Sequence, residues 1–232
     1  MKLSIIIPVY NEEVSLPKLA ERIQALQLDQ IEKEIIFIND ASTDKTAEKL
    51  NLIKEHQPTT IVLTHPVNQG KGAAIRSGIG KASGDIILIQ DADLEYHPNN
   101  YPKLLNPFLK ADADAVYGSR FLGGEYVRIH LFWHYIGNRF LTLLSNICTN
   151  LNLTDMETGY KLFKRNLLNK IDLTSNRFGF EVEITAKLAK LNAIIYEVPI
   201  SYEGRSYAQG KKITWKDGIA AVWHIIRFNF FK

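Results

Sequence analysis

Residues Asp85–Pro98 read Asp-Ile-Ile-Leu-Ile-Gln-Asp-Ala-Asp-Leu-Glu-Tyr-His-Pro. The apolar run Ile86–Ile89 has the length and composition of a buried strand. At its C-terminal end stand Asp91 and Asp93 with Ala92 between them. Two carboxylates one residue apart can reach a single divalent cation. Hard oxygen ligands suit Mg²⁺ or Mn²⁺, which keep some waters and also bind substrate phosphates. Ligands of open α/β sheets bind at strand carboxyl ends. The stretch therefore reads as a metal-bridged phosphate site for a nucleotide diphosphate. Taken alone it also reads as a solvated acidic turn.

The flanking sequence repeats the pattern of strand, then polar loop. Leu3–Val9 is a strand that breaks into Tyr10-Asn11-Glu12-Glu13. Glu34–Ile38 runs into Asn39-Asp40-Ala41-Ser42-Thr43-Asp44, and Thr60–His65 runs into Asn68-Gln69-Gly70-Lys71-Gly72. A fifth strand, Val116–Gly118, closes at Ser119-Arg120. Helical patterns lie between these runs. In the first of them Leu16, Leu19, Ala20, Ile23 and Leu26 share a face, Pro17 suits the first turn and Ser15 is placed to cap it. Thr43 or Asp44 starts the second helix, and Gly70-Lys71-Gly72 precedes the third. Alternating strands and helices predict a mostly parallel sheet covered on both faces.

The 232-residue length fits one domain with a substantial core. A formal net charge of +3 is too small to argue for nucleic acid. The single cysteine, Cys148, excludes an intrachain disulfide, fits a reducing compartment and reads as a small core residue. The short apolar N-terminus runs straight into Asn11-Glu12-Glu13, unlike a signal peptide. No apolar run approaches the roughly 20 residues that span a bilayer. The expected location is cytoplasmic, with any membrane contact peripheral.

Beyond residue 120 the character changes. Ile129, Phe132, Trp133, Ile136, Phe140, Leu143, Leu144 and Ile147 recur at helical spacing, flanked by Arg128, His130, His134 and Arg139. Near the C-terminus Trp215, Ile219, Val222, Trp223, Ile226 and Phe230 do the same beside Lys211, Lys212, Lys216, Arg227 and Lys232. Each stripe is either a core-facing amphipathic helix or one lying in a membrane interface. The same pattern would also serve a homo-oligomer or a membrane-protein partner.

The strand-end motifs, in this order and followed by Asp91-Ala92-Asp93-Leu94 and Gly118-Ser119-Arg120, resemble family 2 glycosyltransferases. The likeness is nearest to the dolichol-phosphate mannosyltransferase-like branch, which transfers sugar from a nucleotide to a polyprenyl phosphate. It implies a GT-A-type, Rossmann-like α/β fold. Residues 1–120 would bind the nucleotide sugar, 121–212 the acceptor, and 213–232 would form a terminal amphipathic helix. It also implies that Pro8, Tyr10, Glu12 and Asp40 surround base and ribose, with Gln69, Lys71 and Arg76 near the nucleotide. Asp44 reads as a cap instead. Neither a phosphate-loop nor a dinucleotide-binding glycine pattern is present, which disfavours a nucleotide triphosphatase or a nicotinamide dehydrogenase.

For the chemistry, Asp93 is the expected direct metal ligand. Asp91 is a second ligand or a ribose contact through metal-bound water, and Glu95 is either a third ligand or a surface carboxylate. Arg120, Arg205 and Lys211 are candidates for phosphate binding, since guanidinium forks grip phosphate and lysine adds a point charge. The branch often reads Arg-x-x-Gly-x-Ser-Lys at the second of these sites. Here the Arg and the Lys six residues on are kept, the Gly is shifted and the Ser is lost. Asp155, in Asp-Met-Glu-Thr-Gly-Tyr-Lys161, would be a base for a hydroxyl acceptor or would orient a phosphate acceptor. Glu181 and Glu183 lie two apart in a helical stretch, so at most one faces the site. The expected reaction is inverting transfer of a hexose from GDP- or UDP-sugar to a polyprenyl phosphate. The alternatives are transfer to a carbohydrate or lipid hydroxyl, and a silent nucleotide-sugar-binding subunit.

Overall fold

The computed structural model describes residues 1–123, 131–177, 179–204 and 215–231. In chain order the elements are β1 (Lys2–Val9), α1 (Leu16–Ala25), β2 (Glu32–Asn39), α2 (Thr46–His56), β3 (Ile61–Thr64), α3 (Lys71–Ile79), β4 (Ile86–Ile89), α4 (Tyr101–Lys110) and β5 (Ala115–Ser119). Then follow α5 (Phe132–Thr149), β6 (Lys161–Lys164), α6 (Arg165–Leu168), α7 (Phe180–Lys190), β7 (Ile195–Pro199) and α8 (Trp215–Phe230).

The strands form one seven-stranded sheet in the order β3-β2-β1-β4-β6-β5-β7. All neighbours are parallel except those of β6, which runs antiparallel to both β4 and β5. The expected mostly parallel α/β sheet is present. Alternation along β1 divides the core between the two faces. Leu3, Ile5 and Ile7 pack with Leu16, Leu19 and Ile23 of α1, Leu50 of α2, and Leu104 and Leu105 of α4. Ile6 points the other way, to Ala74 and Ile75 of α3, Phe180 and Ile184 of α7, and Ile225 of α8.

Topology places a cleft. From β1 the chain winds one way through β2 to β3, then crosses to β4 on the other side of β1. That reversal is the switch point where open sheets bind ligands. Ile6 pairs with Ile89, so Tyr10 and Asp91 leave the sheet at the same edge. Reversed β6 contributes from its other end. Ile89 pairs with Lys161, which brings the 155–160 loop, leading into β6, beside Asp91. Tyr117 pairs with Lys161 and Ser119 with Pro199, so Arg120 and residues 200–204 reach the same edge.

Two local expectations are corrected. Ser15 precedes α1 but makes no capping bond; its hydroxyl donates to Glu12 Oε2 at 2.6 Å. The second helix starts at Thr46, whose N–H donates to Asp44 Oδ1 at 2.9 Å. Most described residues of the stripes on α5 and α8 are not core within this chain, although Leu144 packs against the core. Trp133 is 79% exposed, Ile147 71%, Trp223 56% and Phe230 69%. The two helices pack on each other and α8 packs on α7, with these faces left outward. Among the described residues no helix is long and apolar enough to cross a membrane.

Candidate active site

Asp91 follows Gln90, which anchors the turn. Gln90 is fully buried; its Nε2 donates to the Asp91 carbonyl at 2.7 Å, and its Oε1 accepts the hydroxyls of Tyr101 at 2.9 Å and Tyr160 at 2.6 Å. The turn after it is tight. Glu95 N–H donates to Asp93 Oδ1 at 3.1 Å, and Leu94 between them has φ +64°. Buried Ala92 separates the two aspartates. Gly159 touches this turn from the 155–160 loop. A Cβ there would overlap Asp91 Oδ2, and the Gly159 N–H donates to Tyr96 Oη at 2.8 Å.

Lys71 pairs with the first of these carboxylates. Its Nζ lies 2.8 Å from Asp91 Oδ1 and 2.9 Å from Glu181 Oε1. Burial alone would depress this ammonium, but the two carboxylates outweigh it and hold the pKa well above its ordinary value. The lysine opens α3 because Gly70 and Gly72 let the chain run close to the 173–177 loop. Gly70 has φ +95°, and a Cβ on Gly72 would meet the Ser175 carbonyl. Glu183 accepts from the N–H groups of Thr174 at 2.8 Å and Ser175 at 2.7 Å, while Glu181 turns to Lys71. The two glutamates thus face different ways.

Asp40 is buried and holds the loop before α3. Its Oδ1 accepts from Gln69 N–H at 2.9 Å and its Oδ2 from Gly70 N–H at 2.7 Å; His65 Nδ1 lies 2.7 Å from Oδ1. Tyr10 is 37% exposed at the end of β1, beside Glu12, whose backbone N–H donates to Thr46 Oγ1 at 2.9 Å. Pro8 sits within β1 opposite Ile38 of β2.

The far side of the cleft is an ion pair. Arg120 Nε and Nη2 each lie 2.7 Å from an oxygen of Asp155, and Arg120 N–H adds a third bond at 3.0 Å. Asp155 has no exposed surface. The guanidinium also lies 5.6 Å from the ring centre of Phe121 and 5.2 Å from that of Tyr202. Burial opposes its charge, yet Asp155 lifts its pKa well above the ordinary range. Lys161, at the start of β6, is buried with its ammonium on the carbonyls of Met156, at 2.8 Å, and Thr158.

Several expectations change. The Arg76 guanidinium binds the Ser175 carbonyl and Asn176 Oδ1, on the loop that packs against Gly70 and Gly72. Glu95 Oε2 accepts the Tyr202 hydroxyl at 2.6 Å. Among the described residues no three His, Cys, Asp or Glu side chains come together around one point. Asp155 is not a free base but half of a forked ion pair. Arg205 and Lys211 lie outside the described residues, as do Arg128, Ile129, His130, Lys212 and Lys232 and the side chains of Trp215 and Lys216. Gln90 and Tyr202 are not marked by the sequence reading, and Glu157, Tyr160 and Lys161 are given no role of their own within the Asp155–Lys161 stretch. Gln90 alone had a local signal, a polar residue closing an apolar run.

A profile described as glycosyl transferase family 2 matches residues 4–172. An undecaprenyl-phosphate mannosyltransferase of Micrococcus luteus is 33% identical over 224 residues, covering 91% of this chain and 87% of that protein. A dolichol-phosphate mannosyltransferase of Pyrococcus furiosus is 29% identical over 219 residues, covering 92% of this chain. The match spans only 61% of the Pyrococcus protein's own length. The fold is shared with glucosyl-3-phosphoglycerate synthase of Mycobacterium tuberculosis, solved with Mn²⁺, UDP-glucose and phosphoglyceric acid. The TM-score is 0.77 at 18% identity, over 100% of this chain and 80% of that one.

Proposed function

This chain belongs to glycosyl transferase family 2, and from that premise we propose that it transfers a hexose from a GDP- or UDP-sugar to a polyprenyl phosphate, inverting the anomeric centre. The observation that carries this reading is the pairing of Arg120 with Asp155. A hydroxyl acceptor needs a base, and both oxygens of Asp155 are committed to the guanidinium. A phosphate monoester needs none, because its second pKa is about 6 in phosphoamino acids. Instead it needs a cation, which Arg120 offers at the cleft edge. The names of the Micrococcus and Pyrococcus relatives, both polyprenyl-phosphate mannosyltransferases, support the same acceptor class.

Mg²⁺ or Mn²⁺ suits the donor end. Such an ion takes one or two carboxylates together with substrate phosphates and water, and Asp91 and Asp93 offer that number of hard oxygens. Charge argues the same way. Among the described residues, Asp91, Asp155, Glu157 and Glu181 gather around Lys71, Lys161 and Arg120, so a diphosphate would bring further anions beside carboxylates. Bound there, the ion would act as a Lewis acid on the leaving diphosphate.

The protein's own residues do the rest. Pro8, Tyr10 and Glu12 flank the base, and Asp40 fixes Gln69 and Gly70 so that Lys71 reaches Asp91. Arg120, with Arg205 and Lys211, holds the acceptor phosphate. One of its oxygens attacks the anomeric carbon as the bond to the diphosphate breaks. The electron pair leaves on the nucleoside diphosphate and no proton need be removed from the acceptor. Residues 1–120 serve the donor and 121–212 the acceptor within one domain, and 213–232 join α5 in meeting a membrane surface. A polyprenyl phosphate resides in such a surface, and the exposed aromatic faces of α5 and α8 match an acyl boundary. The cytoplasmic face is where we place the enzyme.

The test is transfer from UDP- and GDP-hexoses to a short polyprenyl phosphate, with Mn²⁺ or Mg²⁺ and with chelator. Metal-dependent formation of a β-linked lipid sugar from an α-linked donor is expected. Asp93→Asn should abolish it, since the amide keeps the Oδ1 contact to Glu95 N–H but loses the charge. Retained configuration, or a hydroxyl acceptor used in preference, would overturn the reading.

A further inference from the structure

Two carboxylate oxygens in this cleft have no hydrogen-bond partner among the described residues. Glu181 is 5% exposed; its Oε1 holds Lys71, but its Oε2 is buried without a hydrogen bond. Glu157 has a buried Oε1 in the same condition. A buried acceptor left unpaired costs free energy, so such groups mark a place that something else fills. Nor are the two independent. Burial, and after it repulsion from Glu181, raises the Glu157 carboxyl above its ordinary value, against the pull of Lys161 and Arg120.

Position tells what the missing partner is. Glu181 stands one ammonium away from Asp91, through Lys71. Glu157 stands two residues from Asp155, the partner of Arg120. If the donor diphosphate sits at Asp91 and the acceptor phosphate at Arg120, the sugar ring must lie between them, with Glu181 beside the one end and Glu157 beside the other. A carboxylate oxygen accepts hydrogen bonds, and ring hydroxyls can donate them. We propose that Glu157 and Glu181 form the sugar subsite, each accepting a hydroxyl of the transferred ring, and that they select an uncharged hexose against a hexuronate. This rests on the donor and acceptor placement proposed above. The selection follows from like charge: a sugar carboxylate would add a further acid where Glu157 and Glu181 already repel each other.

Calorimetric titration separates the possibilities. The wild-type chain, Glu157→Gln and Glu181→Gln are each titrated, in the presence of Mn²⁺, with UDP, GDP, the corresponding nucleotide hexoses and UDP-hexuronate. Wild type is expected to bind nucleotide hexose more tightly than the bare diphosphate, and to disfavour the hexuronate. Glu157→Gln should lose on the order of ten- to a hundredfold in hexose affinity, the range for hydrogen bonds to charged groups. Its affinity for bare UDP or GDP should stay unchanged and the bias against hexuronate should narrow. Glu181→Gln should narrow that bias as well, although its effect includes the contact to Lys71. If the hexose increment and the bias persist in both variants, ordered water fills the space and the inference falls while the proposed reaction stands. Equal loss of bare diphosphate binding in Glu157→Gln would make the residue structural and also overturn it. A wild-type chain that binds neither diphosphate nor nucleotide sugar would overturn the proposed reaction itself.

Discussion

Arg120 and Asp155 act as one device. Asp155 is fully buried, and its neighbours Thr154 and itself donate backbone N–H groups to Glu197 at 2.8 to 3.1 Å, which fixes the loop on β7. A buried charge survives only when paired, and removing one partner of such a pair typically costs about 3–5 kcal/mol. Arg120→Lys is the informative change, because it keeps the charge and removes the fork. We expect nucleotide-sugar affinity to hold while KM for the polyprenyl phosphate rises on the order of tenfold, as one charge-assisted bond is lost. Steady-state kinetics with the acceptor varied at saturating donor will measure it; an equal loss for both substrates would place Arg120 in general support of the cleft. At this scale the sequence was partly legible. Residue types at strand ends could be read, but their partners could not. Lys71 meets Glu181, Arg76 meets Ser175, and Glu95 meets Tyr202, each across about a hundred residues of chain. No local pattern encodes which long side chain wins a given carboxylate.

Elements were more legible where their pattern was long. Lys2–Val9 and Glu32–Asn39 carry apolar runs that only a buried parallel strand accommodates, and α1 shows its face at every turn. Lys161–Lys164 offers only Leu162 and Phe163 between two lysines, too short a run to distinguish strand from loop. Its reversed direction is set by tertiary pairing with β4 and β5, and with it the placement of the 155–160 loop. The strands also carry a pH-dependent tie. Glu34 of β2 accepts from Ser4 of β1 and from Ser83 N–H at 2.8 Å ahead of β4, with Lys2 Nζ 3.0 Å away. Burial pushes this carboxyl up, yet these donors together hold it at about 2, against 4.5 when free. A depressed carboxylate stabilises the fold above the unfolded value and loses that contribution as pH falls from 4.5 toward 2. Glu34→Gln should therefore cost up to about 3 kcal/mol at neutral pH. The gap from wild type should close as the pH is lowered through that window. Urea unfolding at stepped pH values will report it, and a gap constant with pH would assign the loss to packing.

For the molecule as a whole, the decisive feature is that its two most aromatic helices turn their apolar faces outward. Sequence periodicity predicted the stripes but left their destination open, because an amphipathic helix shows only that one face avoids water. Packing resolves half of that question. The inner faces of α5 and α8 bury Ser145, Ala221, Ile225 and Phe228, whereas most of the other large aromatic side chains remain outside. Phe132, Trp133, Phe140, Leu143, Trp223 and Phe230 are each more than half exposed. Together they make a patch of the kind that marks an interaction surface. Exposed Arg139 and Arg227 lie on the same helices and favour anionic headgroups. Burying each large apolar side chain contributes roughly 1.5–3 kcal/mol. Replacing Trp133, Phe140 and Trp223 with serine should thus lower partition onto anionic vesicles by at least about a hundredfold. Nucleotide-sugar binding in solution should be unaffected, since none of the three touches the cleft. Vesicle flotation, paired with sedimentation to follow oligomeric state, separates lipid from self-association. Binding that vanishes with the aromatics and not with dilution assigns the face to lipid. A wild-type dimer that ignores vesicles and dissociates on substitution would assign it to a second copy of the chain.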